Sequence, residues 1–509
     1  MYRRTAAKLL VASGAGFGFA GSGWAQSRFT KDPFTLGVAS SVPRPNAVTI
    51  WTRLAPEPLT PTGGLDPVDH AVMWELATDD AFGSVIARGG AIARPELAHS
   101  VRVTVDGLEP GRHHWYRFVS GDATSPIGRT KTLPPLGGRL DSLRFATASC
   151  QHFEQGYFVA FDQMIEDDPD FVVHLGDYIY GVSRGDFRDH LRKEVPTSLE
   201  DYRLRHALYK TDPSLQRAHA SFPFYTVLDN HDALKNVPLS PEQMAKKRAA
   251  YQAWFEHMPM EGGYVVGGAS LMTHAGIDFG DLLRLNILDT RQFRDDESLC
   301  LEHADPDYGF TIYRPACDAV VEEQRTCLGP SQEAWLAHQM ASSEQRWNGL
   351  ASTVLFSPFA MQHRGDTFRY ESSWDYFPTN RRRVLDTMRS TGLTNPVILS
   401  ADVHSNWAID VKADPDDPES RTVGTEFLAT SIASGWPPPL DEPIRANLAN
   451  NPHVHHYDGS ARGYLLHDVT PTTWACTMRT VDDVRSPAAK AAVQAAFVVE
   501  DGIGGVKRA

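Results

Sequence analysis

Four short polar clusters carry the chemistry of this 509-residue chain, and each follows a β-like apolar run. Cys150 follows LRFATAS, Asp177 and Tyr180 lie in HLGDYIYG, Asn230, His231 and Asp232 follow FYTVL and Asp229, and Asp402 and His404 lie in VILSADVH. One Asp or His after a strand means little. Four such clusters from distant parts of the chain, all at the carboxyl ends of expected strands, point to one site. In open α/β sheets that edge is where ligands bind. Thiolate, phenolate, carboxylate, amide and imidazole together suit a metal centre better than a proton relay.

Each cluster has its own logic. Gly176 lets the chain turn off its strand. Asp177 can then bridge two cations, and Tyr180 comes three residues later in the same loop. A tyrosinate ligand implies a strong Lewis acid, and ferric iron is the usual one. Standing alone, this GDxxY would read equally well as a turn aspartate and a packing tyrosine. Asn230 can give a neutral oxygen to a hard divalent ion. His231 can give a proton or hydrogen bond to a phosphoryl oxygen, and Asp232 can hold its ring. The plainer reading there is a polar turn with a helix cap. Asp402 and His404 share one face of an extended segment. Cys150 is either a thiolate ligand or an inert buried thiol.

The elements that must position these residues fall into two blocks. Residues 33–135 carry short strand-like runs, among them AVTIWTRL, SVRVTVDGL and HHWYRFVSG, with turn residues between them. That pattern predicts a small all-β sandwich of immunoglobulin or fibronectin type, with Trp51, Trp74 and Trp115 in its core. Leu133 to Gly138 reads as a linker. In residues 140–509 strand-like and helix-like segments alternate, which argues an α/β layered domain. YFVAFDQMIEDD has helical spacing, and Ser331 would cap a helix over 331–340. LLRLNILDT, STVLFSPF, NPVILSADV and TEFLATSI are expected strands, and residues 183–221 form a charged, helical insertion over the site.

These residues carry a family resemblance. GDxxY, N-H-D and DxH resemble the metallophosphoesterase arrangement in the form seen in purple acid phosphatases. Cys150 stands where those enzymes use Asp, and Asp402 where they use His. That variant is the PhoD-like alkaline phosphatase family. The likeness extends over nearly the whole chain after residue 25, through LDTRQFR, SSWDYFP with Arg383, HSNW and EFLATSI. It implies an α/β (α+β layered) metallophosphoesterase-type β-sandwich with flanking helices behind the small all-β domain. It further implies ferric iron held by Cys150, Asp177, Tyr180 and His404, and calcium held by Asp177, Asn230 and Asp402, with a second calcium allowed. His231 would stabilise the transition state or protonate the leaving oxygen. Asn230 departs from the acid common in the family, which lowers the negative charge at the divalent ion and leaves the metal's identity open.

Charge and compartment narrow the partners. Net charge is -14, and there is no basic block, so a nucleic-acid-binding surface is not expected. Tyr2-Arg3-Arg4-Thr5 ahead of the weakly apolar Leu9–Ala20 stretch reads as a twin-arginine signal over residues 1–25. The export machinery is then a partner, and the destination is the periplasm or the exterior. The apolar stretch is too short for a membrane anchor. An oxidising destination permits disulfides, and Cys300 with Cys317 is the favoured pair over Cys327; Cys476 reads as a buried strand thiol. The leading expectation is a secreted phosphatase acting on phosphate monoesters and diesters. The alternatives are a phospholipase D-like or nucleotide phosphodiesterase on the same centre, and a non-catalytic secreted binding protein. His363, Arg364, Arg369 and Arg383 are weaker candidates for phosphate contact.

Overall fold

The computed structural model describes residues 28–185, 187–232, 239–260, 266–300, 313–315, 317–363, 365–417, 419–435 and 438–509. The expected signal segment and Arg364 lie outside these. The first block forms two antiparallel sheets. One pairs Val38–Arg44 with Ala47–Arg53 and Ser100–Asp106; the other is built on His70–Ala77, Val85–Ala93 and His113–Ser120. Strand alternation sends His114, Tyr116, Phe118 and Ser120 inward. Trp115 therefore faces away and, like Trp74, is only half-buried. Trp51 is fully buried, but against the neighbouring helices: its indole N–H donates to the Glu256 carbonyl at 3.0 Å and the Lys210 ammonium lies 4.6 Å from its ring centroid. Of the three tryptophans, Trp51 is a core residue as expected, in a cluster that includes Ala207 of the large block, Trp74 packs partly buried against the small domain's core, and Trp115 lies outside it. Trp51 also helps hold the small domain on the large one, as does the Ser41 hydroxyl donating to the Phe224 carbonyl.

The large block is a sandwich of two seven-stranded sheets. In the first, Leu143–Ala148, Phe171–His174 and Phe224–Thr226 run parallel, and Arg462–Val469 joins antiparallel to Leu143–Ala148. In the second, Leu283–Ile287, Trp347–Ala351, Pro396–Ser400 and Thr422–Leu428 run parallel. The facing sides make one apolar core, where Phe145 stacks on Phe171 at 5.0 Å and Trp347 meets Trp474 edge-on at 5.8 Å. Helices Ala160–Asp167, Leu199–Lys210, Pro213–Ser221 and Pro241–His257 cover the outer side of the first sheet. Gly329–Ala341 and Pro378–Thr391 cover the second.

The layered architecture agrees with the sequence expectation, and several local details do not. STVLFSPF is not a strand: the strand is Trp347–Ala351, and Ser352 begins a loop that carries Thr353 into the site. The fifth large-domain helix starts at Gly329 with Leu328 as its N-cap residue, so Ser331 is inside it and caps nothing. Residues 183–221 are helical only from Leu199 onward. Cys300 and Cys317 form the favoured disulfide, and Cys327 and Cys476 are buried free thiols.

Candidate metal centre

All four clusters meet at the carboxyl edge of the two sheets. Parallel pairing between Leu143–Ala148 and Phe171–His174 continues past both strand ends: Cys150 N–H donates to the Gly176 carbonyl at 3.1 Å and Gln151 N–H to the Asp177 carbonyl at 3.2 Å. This puts the Cys150 sulfur 3.7 Å from the Asp177 carboxylate. Tyr180 closes the loop with its phenol oxygen 3.1 Å from His404 Nε2, while His404 Nδ1 lies 2.9 Å from the Gly435 carbonyl. The carbonyl makes Nδ1 the protonated nitrogen and leaves Nε2 as a lone-pair donor.

Two groups of metal-capable atoms share Asp177. Cys150, Asp177 and His404 offer atoms within 4.8 Å of one another, and so do Asp177, Asp229 and Asp402. The first group, with Tyr180 beside it, mixes sulfur, nitrogen and oxygen; the second is all oxygen. Softer or trivalent ions favour the former set and hard divalent ions the latter. Charge counting also fits cations here. Among the described residues, the group of three buried carboxylates is hydrogen-bonded by one guanidinium, Arg291, which donates to both oxygens of Asp229 and at 3.1 Å to Asp402. Burial and mutual repulsion push Asp177, Asp229 and Asp402 above the ordinary carboxylate range. Burial likewise raises the Cys150 thiol and the Tyr180 phenol, with Asp177 adding to both, and lowers His404 to about 3. Each shift disfavours a charged protein group in a dry pocket, and a bound cation reverses that balance for the anionic ligands.

His231 is fixed by its backbone N–H, which donates to Asp177 at 3.0 Å, and its ring lies 4.2 Å from the Tyr180 ring. Burial lowers the imidazole to about 4. Asn230, His231 and His404 are partly exposed, whereas Cys150, Asp177, Tyr180 and Asp229 are buried, so the site opens to solvent on the former side. Asp232 is brought to the site but does not hold the His231 ring. Its two oxygens accept the backbone N–H groups of Ile179 and Asp229, each at 3.0 Å. It ties the GDxxY loop to the Asn230 turn.

Four further residues belong to the site and were not singled out from the sequence: Asp229, Arg291, Thr353 and Tyr370. Thr353 donates to Asp229 at 3.0 Å, and the Tyr370 hydroxyl donates to Asp402 at 2.5 Å. Arg291 also reaches the Asn230 side-chain oxygen at 3.4 Å. The LDTRQFR segment drew notice as a unit, without a role for either of its arginines, Arg291 and Arg294. Arg369 instead pairs with Asp375, and Arg383 with Glu333, so neither is free for phosphate. Another group, His152, Glu154 and His190, has metal-like spacing. Both His190 nitrogens are engaged there, by Arg205 and by the Tyr209 hydroxyl, each at 3.0 Å.

Comparison with known proteins decides the family. The model for PhoD-like phosphatase matches residues 145–478, and that for the PhoD-like phosphatase N-terminal domain matches residues 20–134. The chain belongs to the PhoD-like phosphatase family. Alkaline phosphatase D of Bacillus subtilis (strain 168) is 38% identical over 503 residues, covering 95% of this chain and 84% of that one. A solved structure of PhoD superposes with a TM-score of 0.88 at 36% identity, covering 95% of this chain and 93% of that one. Purple acid phosphatase PPD1 from yellow lupin seeds shares the fold, with a TM-score of 0.57 at 10% identity over 91% of this chain and 74% of that one. The PhoD-like chain described here is thus a phosphoric ester hydrolase of the phosphatase type. Among its described residues no helix is long and apolar enough to cross a membrane.

Proposed function

We propose that this chain is an exported, metal-dependent hydrolase of phosphate monoesters and diesters. The observation that carries the reading is Asp177, shared between a sulfur–nitrogen–oxygen donor group and an all-oxygen one. Cys150, Asp177, Tyr180 and His404 would hold ferric iron; Asp177, Asn230 and Asp402 would hold calcium, with Asp229 in the same all-oxygen group. Bound there, such ions supply Lewis acidity, drawing charge from the phosphoryl oxygens and making water acidic enough to attack near neutral pH.

The protein's own groups do the rest. Asp177 keeps the two donor groups in register through its bonds to the His231 backbone and the Cys150 loop. Arg291 holds Asp229 and Asp402 at fixed separation. His231, partly exposed on the open side, donates a hydrogen bond to the phosphoryl or leaving oxygen as charge develops there. No serine or threonine nucleophile is required. Export is supported by Arg3-Arg4 before the Leu9–Ala20 stretch. The test is hydrolysis of p-nitrophenyl phosphate and its bis-ester by protein from its native host, before and after chelation, with metal analysis of the same sample. Activity that falls with metal removal and returns with iron and calcium supports the reading, as does a visible band lost in Tyr180→Phe. Undiminished turnover in metal-free protein overturns it.

A further inference from the structure

We propose that Tyr370 is a positioning residue for the all-oxygen half of the centre: its hydroxyl and the Arg291 guanidinium each grip one oxygen of Asp402, and that grip sets the affinity for the divalent ion and not for the iron. The inference rests on the metal-dependent reading above and names the group that holds one of its ligands in place.

Asp402 needs such a hold. It lies in the left-handed region at φ 76°, past the end of Pro396–Ser400, so strand pairing does not fix its side chain. Its Oδ1 accepts from Arg291 Nη2 at 3.1 Å, and its Oδ2 accepts the Tyr370 hydroxyl at 2.5 Å. With a donor on each oxygen, the carboxylate cannot turn about its Cβ–Cγ bond without losing both. An ionised carboxylate has about four lone-pair sites, so each oxygen keeps one for a cation. Outer partners of this kind orient ligating carboxylates and tune their metals. The group that Asp402 completes with Asp177 and Asp229 is the all-oxygen one.

The two donors form one device. Arg291 Nη1 donates to the Ser372 hydroxyl at 2.6 Å, two residues past Tyr370. Arg294 Nη1 donates to the Ser372 carbonyl at 3.2 Å, and the Tyr370 carbonyl accepts the Ser373 hydroxyl at 2.9 Å. The turn that carries the phenol therefore also seats the guanidinium. Tyr370 is set in turn by strand Asp366–Tyr370, which pairs it with Tyr313 across Tyr313–Pro315. Its ring lies in an apolar cluster with Phe368 and with Val403, the residue between Asp402 and His404. The other donor group is held by different bonds. Tyr180 meets His404 at 3.1 Å, His404 meets the Gly435 carbonyl at 2.9 Å, and the Cys150 sulfur meets Asp177 at 3.7 Å. Loss of the Tyr370 hydroxyl thus falls on the all-oxygen half alone.

The test takes iron-loaded protein stripped of calcium by a calcium-selective chelator, as wild type, Tyr370→Phe, Ser372→Ala and Phe368→Leu. Calcium is titrated back by calorimetry, and the visible tyrosinate–iron band and the melting temperature are read on the same samples. Tyr370→Phe removes one oxygen and keeps the ring. Loss of an outer partner predicts a calcium Kd raised about 10- to 100-fold, with the iron band unchanged. Ser372→Ala should raise Kd by less, because Arg291 keeps its bonds to Asp229 and Asp402. Phe368 is buried on the same face of the same strand and serves as the packing control. Phe368→Leu should lower the melting temperature and leave Kd within about twofold of wild type. A Kd within about twofold of wild type in Tyr370→Phe overturns the proposal, and so does an equal rise in Phe368→Leu. Loss of the iron band in Tyr370→Phe overturns it too, since the tyrosine would then support the whole centre. Wild type that takes up no calcium sinks the calcium assignment and the proposal with it, so the two failures are told apart by wild type alone.

Discussion

Gly176 offers the sharpest test of how the fold builds this site. Its φ is +88°, and a Cβ there would lie 2.4 Å from the Asp229 Cβ and 2.9 Å from the Asp229 nitrogen. Neither side can yield. The Gly176 carbonyl is held by the Cys150 N–H, and Asp229 is held by Arg291, Thr353 and the Asp232 carboxylate. Gly392, the αL cap after helix Pro378–Thr391, supplies the control: its φ is +69°, and a Cβ there meets nothing within 4 Å. Both Gly→Ala variants pay the left-handed penalty of about 1–2 kcal/mol. Only Gly176→Ala adds overpacking of about 1–3 kcal/mol. The expected totals are therefore about 2–5 against about 1–2 kcal/mol. Because Asp177 follows directly and Asp229 is the group displaced, Gly176→Ala should also spread the two donor groups. Misplacement near 1 Å can cost about a hundredfold in rate. The assay is thermal unfolding of both variants beside turnover of p-nitrophenyl phosphate and metal content. Equal melting shifts, with wild-type turnover in Gly176→Ala, would refute the close-approach reasoning.

Asp177→Ala should lose both donor groups at once, so iron and calcium content and nearly all turnover should fall together; full metal content with normal activity contradicts the shared-ligand assignment. His231→Ala should keep its metals but lose about 10²- to 10⁴-fold in kcat, the usual range for a proton-handling group. An unchanged rate removes His231 from the chemistry. Away from the site, the His455 imidazole lies 3.0 Å from Asp410, which raises His455 above its ordinary value. Asp410 is held below the usual carboxylate range, chiefly through its bonds to His455 and the Val506 N–H acting against burial. A raised histidine contributes fully below its unfolded pKa and loses that contribution as pH rises through the folded one. His455→Ala should therefore melt below wild type at about pH 5.5 and level with it at about pH 9. The pair is partly exposed, so the difference should not exceed about 1 kcal/mol. A gap that persists at the higher pH refutes the ion pair as its cause.

The layered fold was legible because its strands are short apolar runs bounded by turn residues, a pattern that survives any detail of packing. Registers were less so. VLFSPF looks more like a strand than WNGLA, yet WNGLA is the strand, since every position of Trp347–Ala351 is buried and no alternation marks it. A strand buried on both faces shows no alternation to choose between neighbours. The same limit explains Trp51, whose burial follows from its strand but whose partners come from helices some two hundred residues away. In the site, Asp177, Tyr180 and His404 stood out by type and spacing. Asp229 did not, because in Asp229-Asn230-His231-Asp232 every residue is polar and nothing local says which one points inward. Arg291, Thr353 and Tyr370 are ordinary residue types, and only the bonds they make across the sheet edge mark them.

What sequence patterns miss most completely is how the ligands are turned inward. Cys150, Asp177, Asp402 and His404 all lie in the left-handed region, with φ of 56°, 53°, 76° and 45°. Such a backbone costs about 1–3 kcal/mol for a residue other than glycine. No propensity foretells it four times at one edge. The cause lies in the strands. Pairing of Leu143–Ala148 with Phe171–His174 persists through Cys150 and Asp177 after the strand geometry has ended, so each chain must reverse while still bonded to its neighbour. The left-handed step achieves that reversal and swings the side chain back over the sheet edge toward its partners. Asp402 and His404 make the same step at the end of Pro396–Ser400, where Ala429 N–H still bonds to the Ser400 carbonyl. Relaxing any one of these four residues would move a ligand atom out of the cluster without touching its chemistry.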